Sequence, residues 1–388
     1  MPHGPRFLFV PVSGRYGMGE YARSLAIAAA VSGRWPQAAI HFVLSREAPY
    51  AASAPFPATL LPSSPTFHTR EVSELAASFR PDVAIFDNAG RTAQLRAACG
   101  TGARIVYISA RRRQRRRAFR PAWMRMLDEH WIAYPRFIAG EPGRIERLKL
   151  RIIGRPVIRF LDVILPAADA ARRERVLARI GCPAGSFVLF VPGGGTGHPG
   201  AHDAGARFAA AADAVAAQDV PAVYVGAAAE VAVDDPAVAG RSGPGAGDAG
   251  SAVAAGAGAP SEAGRRPRQS LPVMPLADLA ELMRAARIVV TNGGSTLLQA
   301  IACGAAVVAA PIAGDQIERA RQCAERGVAL AAGLDAVEIA GGVRALIADE
   351  SARAGLAARA AALHLADGVE VATEALAGLI GRTRSRVT

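Results

Sequence analysis

The sequence predicts an α/β protein made of two doubly wound halves, and three observations carry that reading. A chain of 388 residues fits two domains of ordinary size, and 51% apolar content is ample for two cores. Short β-branched runs alternate with helical stretches along most of the chain, the pattern of parallel sheets covered by helices on both faces. Glycine-rich loops stand between strand and helix at 14–19, 193–200 and 293–294, and doubly wound sheets bind ligands at those carboxyl-terminal strand edges.

The first half opens with a strand at 6–12, a loop ending in Gly17-Met18-Gly19-Glu20, and a helix over 21–31. Gly17-x-Gly19 lacks the third glycine of a dinucleotide fingerprint, and no acidic residue closes the next strand. Glu20 is open to two readings, a general base with a tuned pKa or an acid that favours a helix N-terminus. Strands at 39–44, 82–86, 104–108 and 130–133 follow, with helices at 71–79 and 92–98 between them. Asp87 stands at the end of the 82–86 strand and therefore on the same edge as Glu20. It either binds acceptor and helps the base or caps the next helix.

The run at 111–117 holds six arginines around Gln114 and continues through Phe119, Arg120 and Trp123. It follows the 104–108 strand, so it belongs to the functional edge. It is either a grip for a phosphorylated acceptor or anionic membrane, or a solvated loop. Nucleic acid is not expected, because no recognition motif accompanies the charge.

Irregular sequence over 151–166 places a boundary between domains at 1–160 and 166–380. A helix over 169–180 begins the second half, and a buried strand at 187–192 delivers Gly193-Gly194-Gly195-Thr196-Gly197-His198. No P-loop lysine is present, which disfavours nucleoside triphosphate hydrolysis. A helix over 203–217 and a strand at 222–225 come next. The tract at 227–269 has too few large apolar residues to offset ordering entropy and reads as a loosely packed, low-complexity insertion. A helix over 276–285 precedes the densest run of signals. There a strand at 287–291 leads to Asn292-Gly293-Gly294 and to a helix that Ser295 or Thr296 can cap, ending near Gly304. A strand at 305–311 and a loop with Asp315 and Gln316 complete it. Helices at 338–348, 352–363 and 369–380 cover the sheet.

Composition narrows the classes further. The formal net charge is +12, and Lys149 is the single lysine, so the charge supports an anionic partner without identifying it. No apolar run reaches the length of a membrane span, and the opening strand is too short for a signal peptide. Cys99, Cys182, Cys303 and Cys323 lie far apart and read as buried thiols in a reducing, cytoplasmic setting. No Asp-x-Asp pair occurs, so chemistry without a required metal or cofactor is expected.

The order strand, Thr-Asn-Gly-Gly-Ser-Thr, helix, Cys-Gly-Ala, strand, Pro, Asp-Gln over 287–330 resembles the nucleotide-sugar segment of glycosyltransferases with the GT-B fold. It is most similar to the peptidoglycan UDP-N-acetylglucosamine transferase family, and to the UDP-sugar hydrolase of pseudaminic acid synthesis. Gly17, Gly19, Arg23, Leu25, Ile27 and Ala28 match that family's N-terminal loop, with Glu20 where the family carries histidine. The resemblance implies two Rossmann-like domains facing across a cleft, with a last helix crossing back to the first domain. It implies a nucleoside diphosphate sugar on Gly194, Thr196, Met274, Asn292, Gly293, Gly294, Ser295, Thr296, Gln299, Asp315 and Gln316. Gln299 replaces the glutamate that many relatives place on the donor ribose. The acceptor, a saccharide or lipid-linked saccharide, falls to Gly17, Gly19 and Arg23, with Glu20 and then Asp87 as candidate bases. A hydrolase and a non-catalytic binding protein remain the alternatives to transfer.

Overall fold

The computed structural model describes residues 4–15, 18–193, 203–226 and 267–383. Seven strands build the first sheet: β1 (Arg6–Pro11), β2 (Ala39–Ser45), β3 (Ala58–Leu61), β4 (Val83–Asp87), β5 (Arg104–Ser109), β6 (Glu129–Ile132) and β7 (Val157–Phe160). Their order is β3-β2-β1-β4-β5-β6-β7, every pairing parallel, so the order reverses between β1 and β4. A second parallel sheet holds β8 (Val188–Val191), β9 (Ala222–Val225), β10 (Gln269–Leu271), β11 (Ile288–Thr291), β12 (Ala306–Ala309) and β13 (Leu330–Ala331). Its order, β10-β9-β8-β11-β12-β13, reverses between β8 and β11.

Both faces of each sheet are buried, which explains why the central strands read as continuous apolar runs. On the first sheet Phe7, Phe9, Ile85 and Val106 point to one core, while Leu8, Val10, Phe86 and Tyr107 point to the other. The last helix, Gly368–Thr383, lies in the first of these cores through Ala372, Leu376 and Leu379, and its Glu374 pairs with Arg34 on the first helix.

Several elements differ from the sequence expectation. β3 and β7 are the two edge strands, short and half-exposed, without strong periodicity. The arginine run forms a helix, Arg112–Ala118, because Arg115 and Ala118 turn inward together at i, i+3. Helix Arg144–Ile153 occupies sequence that carried no assignment up to 150 and was expected to be irregular from 151. Gln269 begins β10 and so is not part of an insertion, while 227–266 lies outside the described residues. Gly294, with an extended ψ of −158°, is the N-cap of helix Ser295–Ala302, and Ser295 is its first residue, not its cap. The four cysteines form no disulfide.

Candidate functional site

The first sheet's switch point is where Glu20 and Asp87 meet. β4 ends at Asp87, opposite Pro11 of β1, and Glu20 stands in the first turn of helix Gly19–Arg34, the helix that follows β1. Asp87 is fully buried. It takes two hydrogen bonds from Arg23, Nε to Oδ2 at 2.8 Å and Nη2 to Oδ1 at 2.6 Å, with Ser24 Oγ 3.4 Å from Oδ2. Burial pushes the Asp87 carboxyl up to about 6 against the pull of Arg23. Burial also works against the Arg23 charge, but Asp87 outweighs it, so the guanidinium stays protonated. The pair is a buried anchor that ties the first helix to β4. Asp87 is therefore corrected from candidate base to anchor, since neither oxygen faces solvent, and Arg23 is spent on Asp87 instead of an acceptor.

Asn88, which the sequence reading did not assign, is the partner Glu20 needs. Its backbone is left-handed at φ 53°, a conformation asparagine tolerates better than most residues. Asn88 Oδ1 accepts from the Ala110 N–H at 2.9 Å, which fixes the amide so that Nδ2 donates to Glu20 Oε1 at 2.8 Å. Glu20 is half-buried. Gly19, at the start of that helix, has open space where a Cβ would stand, whereas Gly17 lies outside the described residues.

Around the second switch point stand Asn292, Gly293, Gly294, Ser295, Thr296 and Gln316. Asn292 is buried and ties two strand ends together, donating from Nδ2 to Pro192 O at 2.6 Å and accepting from the Gly294 N–H at 2.7 Å. The glycines around it are required by close packing. A Cβ on Gly293 would stand 2.5 Å from Gln316 O, one on Gly294 would stand 2.7 Å from Asn292 Oδ1, and one on Gly193 would meet Asn292 Nδ2 at 2.6 Å. Asn292 is thus a structural pin. Ser295 and Thr296 are half-buried at the start of their helix, where free N–H groups and the helix dipole favour an anion. Gln316 Oε1 accepts from Ile312 N–H at 3.0 Å, and Gln299 Nε2 donates to Ile164 O at 3.0 Å, so each amide is half committed. Met274 packs on the core of the second sheet beside the exposed Val273. Gly194, Thr196 and His198 lie outside the described residues.

Contacts across the two edges set them face to face. Tyr134, just past β6, places its hydroxyl 3.4 Å from Ser295 Oγ, and Arg111, just past β5, approaches Asp315 Oδ2 at 3.9 Å. Arg319 joins both contacts. It is buried, its guanidinium carbon lies 4.4 Å from the Tyr134 ring centroid, it donates to Gly293 O, and it sits 3.6 Å from Asp315. Its Nε has no hydrogen-bond partner among the described residues. The sequence held a faint signal for Arg319, an arginine four residues beyond Asp315 on a helix face, and for Tyr134, an aromatic at a strand's carboxyl end.

Known structures share this architecture. Phytolacca americana UGT2 complexed with UDP-2-fluoro-glucose and pterostilbene is 14% identical, with a TM-score of 0.62 over 98% of this chain and 99% of that one. Glycosyltransferase VinC in complex with dTDP is 16% identical, with a TM-score of 0.60 over 98% and 100%. Acinetobacter baumannii MurG is 14% identical, with a TM-score of 0.56 over 95% and 98%. No protein-family model and no curated protein matches the sequence. The two parallel-sheet, Rossmann-like domains with surrounding helices are those of the GT-B fold. At these identities the likeness establishes that fold.

Proposed function

We propose that the chain is a glycosyltransferase that moves a sugar from a nucleoside diphosphate donor, UDP-linked, to an acceptor hydroxyl. The donor belongs to the half at 166–380 and the acceptor to the half at 1–160. The observation that carries this is the meeting of the two switch points, with Tyr134 on Ser295, because it sets a carboxylate and an anion-binding helix start on facing edges. The bound nucleotides of the Phytolacca protein and VinC, UDP-2-fluoro-glucose and dTDP, agree with a nucleotide there.

In the reaction, the acceptor oxygen attacks the anomeric carbon and its proton passes to Glu20, which Asn88 holds by hydrogen bond. The bond from that carbon to the diphosphate breaks, and the diphosphate leaves with the electron pair. Its growing charge meets the Ser295 and Thr296 hydroxyls, nearby amides and the Arg319 guanidinium, and Gly194 and Thr196, which lie outside the described residues, are assigned to the same diphosphate by the sequence resemblance. Met274 walls the base, and Gln299 offers Oε1 and the second N–H of Nε2 to the ribose, its first N–H being donated to Ile164 O. Asp315 and Gln316 Nε2 serve the sugar hydroxyls. Absence of an Asp-x-Asp pair from the sequence supports a metal-independent reaction. The acceptor is read as a lipid-linked or cell-envelope saccharide handled on the cytoplasmic side, an anionic substrate suited to the exposed Arg111, Arg112, Arg113 and Arg116.

Calorimetric titration with UDP, dTDP and GDP tests the donor site, and absence of binding by all three overturns the reading. Turnover of UDP-sugars then separates reactions. Donor consumption that needs an added acceptor supports transfer, whereas stoichiometric free sugar at full rate without one makes the protein a hydrolase.

A further inference from the structure

Helix Arg144–Ile153 carries apolar side chains where a core cannot use them. Glu146, Lys149, Leu150 and Ile153 are its half-buried residues. Lys149 Nζ donates to Phe119 O at 3.2 Å and Glu146 lies 3.6 Å from Arg115, which seats the helix beside the arginine-rich helix Arg112–Ala118. Ile145, Leu148 and Ile152 are 70%, 53% and 74% exposed, and their spacing of three and four residues makes one outward stripe. Arg144, Arg147 and Arg151 repeat the same spacing one position earlier, all exposed. On the neighbouring helix Arg112, Arg113 and Arg116 are exposed too, with Arg120 just past its end. None of these seven arginines has a carboxylate partner among the described residues. Arg115 differs: it is buried and donates to Ala139 O and Gly140 O, both at 2.7 Å, so it is the structural member of the run.

We propose that this face is a peripheral docking site for an anionic lipid bilayer, with arginines on headgroup phosphates and Ile145, Leu148 and Ile152 sunk into the interfacial layer. Charge complementarity selects that occupant. A second copy of the chain would bring the same unpaired arginines against each other. A nucleic acid would satisfy the arginines but would leave three aliphatic side chains that offer no ring for base stacking. No helix among the described residues is long and apolar enough to cross a membrane, so the attachment lies on the surface. Arg111 contacts Asp315 on the cleft and leads directly into Arg112–Ala118, which puts the docked bilayer beside the acceptor side of the proposed reaction.

The test uses the full chain without donor or acceptor, so its outcome is separable from that of the transfer reaction. Co-sedimentation is measured with vesicles of phosphatidylglycerol and phosphatidylcholine, and with phosphatidylcholine alone. The parent binds the anionic vesicles. The variant with Ile145→Gln, Leu148→Gln and Ile152→Gln loses about ten-fold or more in partitioning, while Arg144→Gln, Arg147→Gln and Arg151→Gln lose roughly five-fold per arginine at low salt. All six positions are exposed, so thermal unfolding stays near the parent's. Tryptophan emission of Leu148→Trp shifts to the blue when anionic vesicles are added. The proposal is overturned if the apolar variant partitions like the parent, or if the emission does not shift. It is equally overturned if sedimentation equilibrium finds a parent dimer that the apolar substitutions dissolve, which would make the face an interface between copies.

Discussion

Asn88 holds Glu20 from one side only: its Nδ2 donates to Glu20 Oε1 at 2.8 Å while the Ala110 N–H locks its Oδ1 at 2.9 Å. The backbone amide allows no flipped arrangement, since Ala110 N–H must have an acceptor. One Glu20 oxygen is thereby oriented and the other stays available. Glu20→Gln is expected to lower kcat about 100-fold or more while leaving UDP affinity unchanged, as loss of a general base should. Asn88→Ala should lower kcat less, about ten-fold, and Asn88→Asp should do worse by setting two carboxylates together. Steady-state kinetics beside UDP calorimetry checks this; equal loss of UDP affinity in Glu20→Gln would remove Glu20 from its role.

How far the sequence went is clearest at Asp87. Its place at a strand end was legible, because four apolar residues, Val83 to Phe86, before a polar one mark the end of a buried strand. Its burial against Arg23 was not, since the two are 64 residues apart and only the β1-β4 pairing joins them. The same limit hid Arg319 and Tyr134, whose partners lie in the other half of the chain. The glycine turn was read correctly as a turn. Why these positions must be glycine is visible only in the fold, where Asn292 and Gln316 fill the space a Cβ would need. Helix Arg144–Ile153 escaped because its outward stripe is apolar, the reverse of the pattern that marks a covered helix.

The Arg23–Asp87 pair predicts that removing either partner alone is costly. Asp87→Ala leaves a buried guanidinium without its anion and should cost about 3–5 kcal/mol, as should Arg23→Met for the opposite reason. Urea denaturation followed by circular dichroism checks both. A change in midpoint no larger than that of an exposed control such as Glu350→Ala would show that the anchor carries little stability.

His130 predicts an acid limb. It is fully buried on β6 with Nε2 2.8 Å from Ser109 Oγ, and burial, helped by Arg115, pulls its pKa down to about 3. The unfolded chain carries histidine near 6.5. The folded value is the lower one, so the stability due to neutral His130 is fully present above about 6.5 and drains away as pH falls toward 3. Between pH 7.5 and 5.5 the loss should be about 1 kcal/mol. Tm measured across that window should fall in the parent and flatten in His130→Gln, relative to each protein's own value at pH 7.5.

The turn at 292–295 predicts that its hydroxyl and its glycines separate under mutation. Among the described residues the one hydrogen-bond partner of Ser295 Oγ is Tyr134 OH at 3.4 Å, a weak contact, so Ser295→Ala should leave unfolding nearly unchanged and weaken UDP binding about five- to ten-fold. Tyr134→Phe removes the other half of that contact. Binding should hold or improve, since Ser295 is then free for the diphosphate. Gly293→Ala differs from both, because its Cβ would meet the backbone oxygen of Gln316 at 2.5 Å and something must move. A cost of about 1–3 kcal/mol in stability is expected, together with loss of UDP binding. Calorimetry and thermal unfolding on the three variants check the set. If Ser295→Ala binds UDP like the parent, the helix start is not where the diphosphate sits, whatever the glycine variant does.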